Sequence, residues 1–262
     1  MPISAEGLYY EDQGSGDDVL LWIHGFGSST RGFNGVAEKF DDHRSILVDL
    51  PGFGRSAAAG NGCRFPDLAA AAHGLMQELG IDRYSVIGMS MGGGVGLRMA
   101  LDHPEVVQTV IGVVPFPAQG MNGDASDAVA SMMAALHGNA EALRAAYTGM
   151  SKLALTGALD DLVEDSCNAN RDTWVDMMAG GGAKFSQFDE LESLSVPFCS
   201  IIGADDIVLS VTDQLATAAR VPHGRAVVLS GLGHLMAAED PQRVFDEVRA
   251  SMALIRERAL ND

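Results

Sequence analysis

Tyr84-Ser85-Val86-Ile87-Gly88-Met89-Ser90-Met91-Gly92-Gly93-Gly94 passes from a short apolar run, through a turn of small residues, into a helix-like segment that continues to Leu101. Its first four residues have the length and β-branched content of a buried strand. The Gly88-Met89-Ser90-Met91-Gly92 turn then sets one serine between two glycines. A serine that stands clear of a sheet must sit on a sharp, strained strand-to-helix turn, and small flanking residues make such a turn sterically possible. Glycine and serine are common, so the pattern draws its weight from the strand, turn and helix around it. Gly93, Gly94 and Gly96 suit a helix start that packs closely on neighbouring strands.

Further apolar runs bounded by turn residues lie at Val19 to Ile23, Ser45 to Val48, Val106 to Val114, Phe198 to Ile202 and Arg225 to Leu229. Helix-like stretches separate them: Pro66 to Leu79, Met91 to Leu101, Val211 to Ala219 and Pro241 to Ile255. Strands alternating with helices of this length predict β-α-β units, hence an α/β fold with a mostly parallel central sheet covered on both faces. Between Phe116 and Ser195 the rhythm breaks into a stretch rich in Ala, Met, Asp and Leu at helical spacing. The expected organisation is a core of residues 1–115 and 196–262 with a helical insertion at 116–195. That insertion carries Met121, Met132, Met133, Met150, Met177 and Met178. They fit either a substrate roof, since methionine adapts to irregular apolar shapes, or ordinary helix packing. Gly180, Gly181 and Gly182 read as a flexible joint.

The 262 residues suffice for one large domain with a sizeable core. With 35 acidic against 17 basic residues the formal charge is −18, and so acidic a chain lacks the Lys/Arg footprint that nucleic acid requires. No stretch is long and apolar enough for a membrane span and no basic-then-apolar leader is visible. Cys63, Cys167 and Cys199 are odd in number and have no C-x-x-C spacing, so neither a disulfide framework nor a zinc site is expected, and a reducing cytoplasm fits best.

An alcohol is a poor nucleophile at neutral pH, so Ser90 needs a base and an acid that orients that base. Of seven histidines, His234 lies in Ser230-Gly231-Leu232-Gly233-His234, a glycine-rich loop after the last strand that can deliver a side chain over the strand ends. His24 reads as a brace for its loop, and His43, His73, His103, His137 and His223 as solvated or capping residues. For the acid, Gly203-Ala204-Asp205-Asp206 follows the strand Phe198 to Ile202, at the sheet edge where open α/β folds place site residues. Asp205 and Asp206 are both candidates, and either could be a plain turn residue. An oxyanion would need pre-aimed amides; the N–H of Met91 and that of Phe26, in His24-Gly25-Phe26-Gly27, are the expected donors.

With these pieces assembled, the sequence resembles the α/β-hydrolase superfamily over nearly its whole length. The matching segments, in order, are Leu21 to Gly27, Asp49-Leu50-Pro51-Gly52-Phe53-Gly54-Arg55-Ser56, Gly88 to Gly92, Gly203 to Asp206 and Gly231 to His234. The resemblance implies that Asp49 to Ser56 is a structural loop beside the pocket and that 116–195 is the family's variable cap. It also implies that the acid is the third residue after the strand-ending glycine, which is Asp206. Ser210 departs from the pattern, standing where members often carry proline. The turn Gly88 to Gly93 is similar to those of small bacterial carboxylesterases and enol-lactonases. The implied activity is cofactor-free hydrolysis of a small or aliphatic ester or lactone through an acyl-enzyme on Ser90. Carbon–carbon bond cleavage, peracid formation and slow-turnover ligand sensing are the alternatives on the same constellation.

Overall fold

The computed structural model describes residues 2–57, 63–121, 133–155 and 157–259. Seven strands form one sheet: β1 (Tyr10–Gln13), β2 (Val19–Ile23), β3 (Arg44–Val48), β4 (Tyr84–Met89), β5 (Val107–Val113), β6 (Phe198–Gly203) and β7 (Gly224–Leu229). Their spatial order is β1-β3-β2-β4-β5-β6-β7. All pairs are parallel except β1 with β3, which is antiparallel. The six apolar runs of the sequence are the six parallel strands. β1, which reads YEDQ, carries no apolar signature because it is an edge strand with little buried surface.

Eight α-helices are described: α1 (Phe65–Glu78), α2 (Met91–Asp102), α3 (Ala140–Met150), α4 (Ala158–Asn168), α5 (Arg171–Val175), α6 (Val211–Arg220), α7 (Met236–Glu239) and α8 (Pro241–Ala259). The central strands β4 and β6 are buried along their whole length, as expected of strands covered on both faces. One apolar cluster joins the sheet to α1 and α2, and a second, containing Trp22, Phe33, Phe40, Val244 and Val248, seats α8 on the opposite face. No described helix is long and apolar enough to cross a membrane.

No strand occurs among the described residues of 116–195, which hold α3, α4, α5 and a π-helical turn at Asp176–Gly180. Leu143, Tyr147, Leu162 and Trp174 of this insertion belong to the same apolar cluster as Val86 and Val95, so its packing is continuous with the core on that side of the sheet. Met132 lies outside the described residues. The glycine run at 180–182 is at one position a close-packing device rather than a joint, since a Cβ on Gly182 would collide with Met177 and press on the Cys63 carbonyl. His43 also departs from the solvated role expected of it. It is buried, packs edge-on to Phe40 and bonds through Nδ1 to Asp42 at 2.7 Å.

Candidate active site

Ser90 caps α2 at φ 51°, ψ −115°, a region that residues other than glycine avoid. The turn is held from both sides by the end of β5. The Ser90 amide donates to the Val113 carbonyl at 2.9 Å, and the Phe116 amide donates to the Ser90 carbonyl at 2.8 Å. Between these two grips lies Val114, itself at φ 44°, with its amide bonded to Ile201 of β6 at 2.7 Å. A Cβ on Gly88 would strike Gly92, and one on Gly92 would strike the carbonyls of Ile23 and His24. Both glycines of the turn are therefore steric requirements.

His234 and Asp206 arrive on the loops after β7 and β6. His234 Nε2 lies 3.1 Å from Ser90 Oγ, and Nδ1 lies 3.0 Å from Asp206 Oδ2. Burial alone would raise the Asp206 pKa. The His234 hydrogen bond and charge, with the amides of Leu209 and Val208, outweigh it and hold the carboxyl below its ordinary value. An ionised Asp206 only accepts, so Nδ1 of His234 carries the proton and Nε2 is left to accept from the Ser90 hydroxyl. Asp206 Oδ1 takes the amides of Val208 and Leu209 at 2.8 and 3.0 Å. Asp205 turns away: it accepts from the Gly231 amide at 3.1 Å, faces Lys152 at 3.6 Å, and its side chain is 38% exposed against 0% for Asp206. Ser210 caps α6 by accepting from the Asp213 amide at 3.2 Å, so the absent proline is replaced by a side-chain cap.

The loop after β2 lies directly against the serine, because a Cβ on Gly25 would come 3.4 Å from that of Ser90. Neither the Phe26 nor the Met91 amide has an acceptor among the described residues, and both residues line the same cavity as Ser90. His24 braces this loop: its Nδ1–H donates to Gly25 O at 2.7 Å and its Nε2 accepts from the Leu50 amide at 2.9 Å.

A model of the alpha/beta hydrolase fold matches residues 18–241. The chain belongs to the α/β-hydrolase family. Among curated relatives, this α/β-hydrolase is 26% identical over 251 residues to a 2-hydroxy-6-oxononadienedioate/2-hydroxy-6-oxononatrienedioate hydrolase of a Pseudomonas species, covering 87% of this chain and 85% of the other. It is 28% identical over 244 residues to the pimeloyl-[acyl-carrier protein] methyl ester esterase of Aeromonas hydrophila, covering 89% and 94%. Among solved structures it superposes on an esterase from Exiguobacterium antarcticum with a TM-score of 0.86 at 18% identity, covering 98% and 100% of the two chains. This last likeness is one of fold.

Above Ser90 the hydrolase encloses a cavity of about 300 Å³. All five described methionines that the sequence singled out in 116–195 line it, joined by Met89 and Met91 from the turn itself. Of the aromatic residues in that insertion, Phe116 and Tyr147 line the cavity, whereas Trp174 packs at a tilt against Phe26 at 4.3 Å and Phe185 leans on Phe65. No Asp, Glu, Lys or Arg is among the described lining residues.

Several supporting residues escaped the sequence reading. Gln214 of α6, fully buried, donates to Asp206 Oδ2 at 3.2 Å. Glu239 of α7 takes the Gly233 amide at 2.9 Å and so fixes the loop that carries His234. Ser166 of α4 donates to the Gly27 carbonyl at 2.7 Å and in turn bonds Tyr147, tying the insertion to the loop of Phe26. The only signal for them in the sequence is a polar residue on an otherwise apolar helix face, which many surface positions share.

Proposed function

We propose that this chain is a serine esterase or lactonase for neutral, largely apolar acyl groups. The observation that carries the reading is the hydrogen-bonded line Asp206–His234–Ser90 at the floor of an uncharged, methionine-rich cavity. Ser90 Oγ attacks the acyl carbonyl while His234 Nε2 takes its proton; Asp206 stabilises the imidazolium; the amides of Phe26 and Met91 receive the oxyanion. His234 then protonates the leaving alcohol, and water resolves the acyl-enzyme. No cofactor takes part. Residues 116–195 act as the cap and set acyl preference, and the three free cysteines fit a reducing cytoplasm.

Relatives are named both for ester cleavage and for hydrolysis of an oxo-dienedioate. A dioate carries two carboxylates and calls for a cation in its pocket. The described lining offers none, and a chain of charge −18 repels anions. These two facts favour the ester.

The test is a panel of p-nitrophenyl esters of rising chain length, lactones, a vinylogous diketone and peroxide, with a serine-directed phosphonate as probe. Uncharged esters or lactones should turn over fastest, Ser90 alone should be labelled, and Ser90→Ala should remove nearly all turnover while leaving the fold intact. Labelling at another residue, or faster turnover of the diketone dicarboxylate, overturns the assignment.

A further inference from the structure

A second, much smaller cavity of about 20 Å³ lies on the far side of Met89, and it shares three wall residues with the large one: Met89, Leu162 and Leu235. Met89 directly precedes Ser90, and Leu235 directly follows His234. The partition between the two spaces therefore stands beside both reacting side chains. We propose that the small cavity is the route by which the hydrolytic water reaches the acyl-enzyme, with Met89 as its movable wall. This inference rests on the serine-hydrolase reading above.

Four features point the same way. A cavity needs roughly 10–15 Å³ to hold one water, so this one admits water and excludes an acyl group. Its remaining wall carries the charged and amide side chains that the large cavity lacks: Arg31, Asn34, Asp161 and Asp165 all line it. Its outer end reaches solvent, since Asn34 is exposed and the Asp161 side chain is 38% exposed, whereas Met89, Leu162 and Leu235 are 5–7% exposed. Finally, the Met89 methyl carbon occupies the gap that glycines leave open, 3.3 Å from where Gly32 would carry a Cβ and 3.7 Å from that position on Gly25. An unbranched thioether can vacate such a gap by rotation alone.

The chemistry explains why a separate route is useful. Once Ser90 is acylated, the acyl group fills the apolar cavity, and water would otherwise have to pass along it. In the deacylation step the water oxygen bonds to the acyl carbon and His234 Nε2 takes the water proton. The bond from that carbon to Ser90 Oγ then breaks, and Oγ recovers the proton as the carboxylic acid leaves.

Asn34→Trp and Ala158→Trp each plug the small cavity at residues that do not line the large one. Rapid quenching with p-nitrophenyl butyrate, read by intact-protein mass, gives the formation and decay of the acyl adduct separately. Adduct formation should stay within about twofold of wild type while decay slows at least fivefold, in variants whose circular dichroism and phosphonate uptake are unchanged; either variant alone decides if the other fails to fold. Unchanged decay, or equal slowing of both steps, overturns the water route. A wild type in which the serine-directed phosphonate does not label Ser90 overturns the hydrolase reading itself, so the two failures are distinct.

Discussion

At the scale of the residue, the structure separates two adjacent carboxylates by what each one touches. Asp206 gathers His234, Gln214 and two backbone amides, whereas Asp205 makes a half-exposed contact with Lys152 and a turn bond to Gly231. Losing the orienting carboxylate disturbs the imidazole tautomer and the stabilisation of the imidazolium; Asp206→Asn should lower kcat by about 10⁴-fold. An exposed ion pair is worth at most ~1 kcal/mol, so Asp205→Asn should cost less than about tenfold. Side-by-side kinetics on both folded variants checks the ranking. His24 leads to a different measurement. Full burial holds its pKa below the ordinary 6.5, against the opposing pull of Asp49 and the Gly25 bond. The unfolded chain therefore binds a proton more readily than the folded one, and stability rises with pH across that gap. The contribution is complete above about pH 6.5 and is lost progressively below it. Thermal scans should show Tm falling as pH drops from about 7 to about 5, and His24→Asn should have a lower Tm with a flatter dependence. An equally steep slope in the variant would assign the acid sensitivity elsewhere.

At the scale of the element, the departure at Ser210 becomes a stability question. The serine supplies the cap of α6 through the Asp213 amide, and α6 also carries Gln214 behind the acid. Removing an N-cap side chain costs typically ~1 kcal/mol. Ser210→Ala should therefore lower the urea midpoint by that equivalent while kcat changes less than about threefold, because Asp206 keeps its other donors. What the sequence disclosed about elements follows the same physics. The inner parallel strands were legible because strands buried on both faces must be continuously apolar, the half-buried edge strand β7 because its β-branched run is bounded by turn residues, and the turn at Ser90 because its glycines have no substitute. β1 was not legible: an edge strand can be polar, and only its pairing with β3 defines it. The meeting of Asp206 and His234 beside Ser90 was legible because both ride on glycine-marked loops at strand ends. Gln214, Glu239 and the Ser166–Tyr147 tie were missed because their roles depend on which helix faces which loop, and local spacing does not encode that. The methionines of 116–195 were noticed, but only the folded chain turns five of them towards one cavity.

At the scale of the whole molecule, a charge of −18 makes the chain repel itself and any anion approaching it. Raising ionic strength from about 0.01 M to about 0.15 M shortens the screening length from ~30 Å to ~8 Å. KM for an ester bearing a distal carboxylate should therefore fall with added salt, while KM for its uncharged analogue stays constant; parallel titrations of the two check this, and equal responses would remove long-range repulsion as a factor. The sheet order has one more consequence, for biosynthesis. Ser90, β5 and Phe116, which grips its carbonyl, are made before the insertion, yet the partners of Ser90 ride on the loops after β6 and β7, which follow it. At about 5–20 residues per second, the stretch from Val113 to His234 takes ~6–24 s to translate. For that interval a nascent chain holds Ser90 without the acid and base that β6 and β7 deliver, and the hydrogen-bonded line cannot form before His234 has been made.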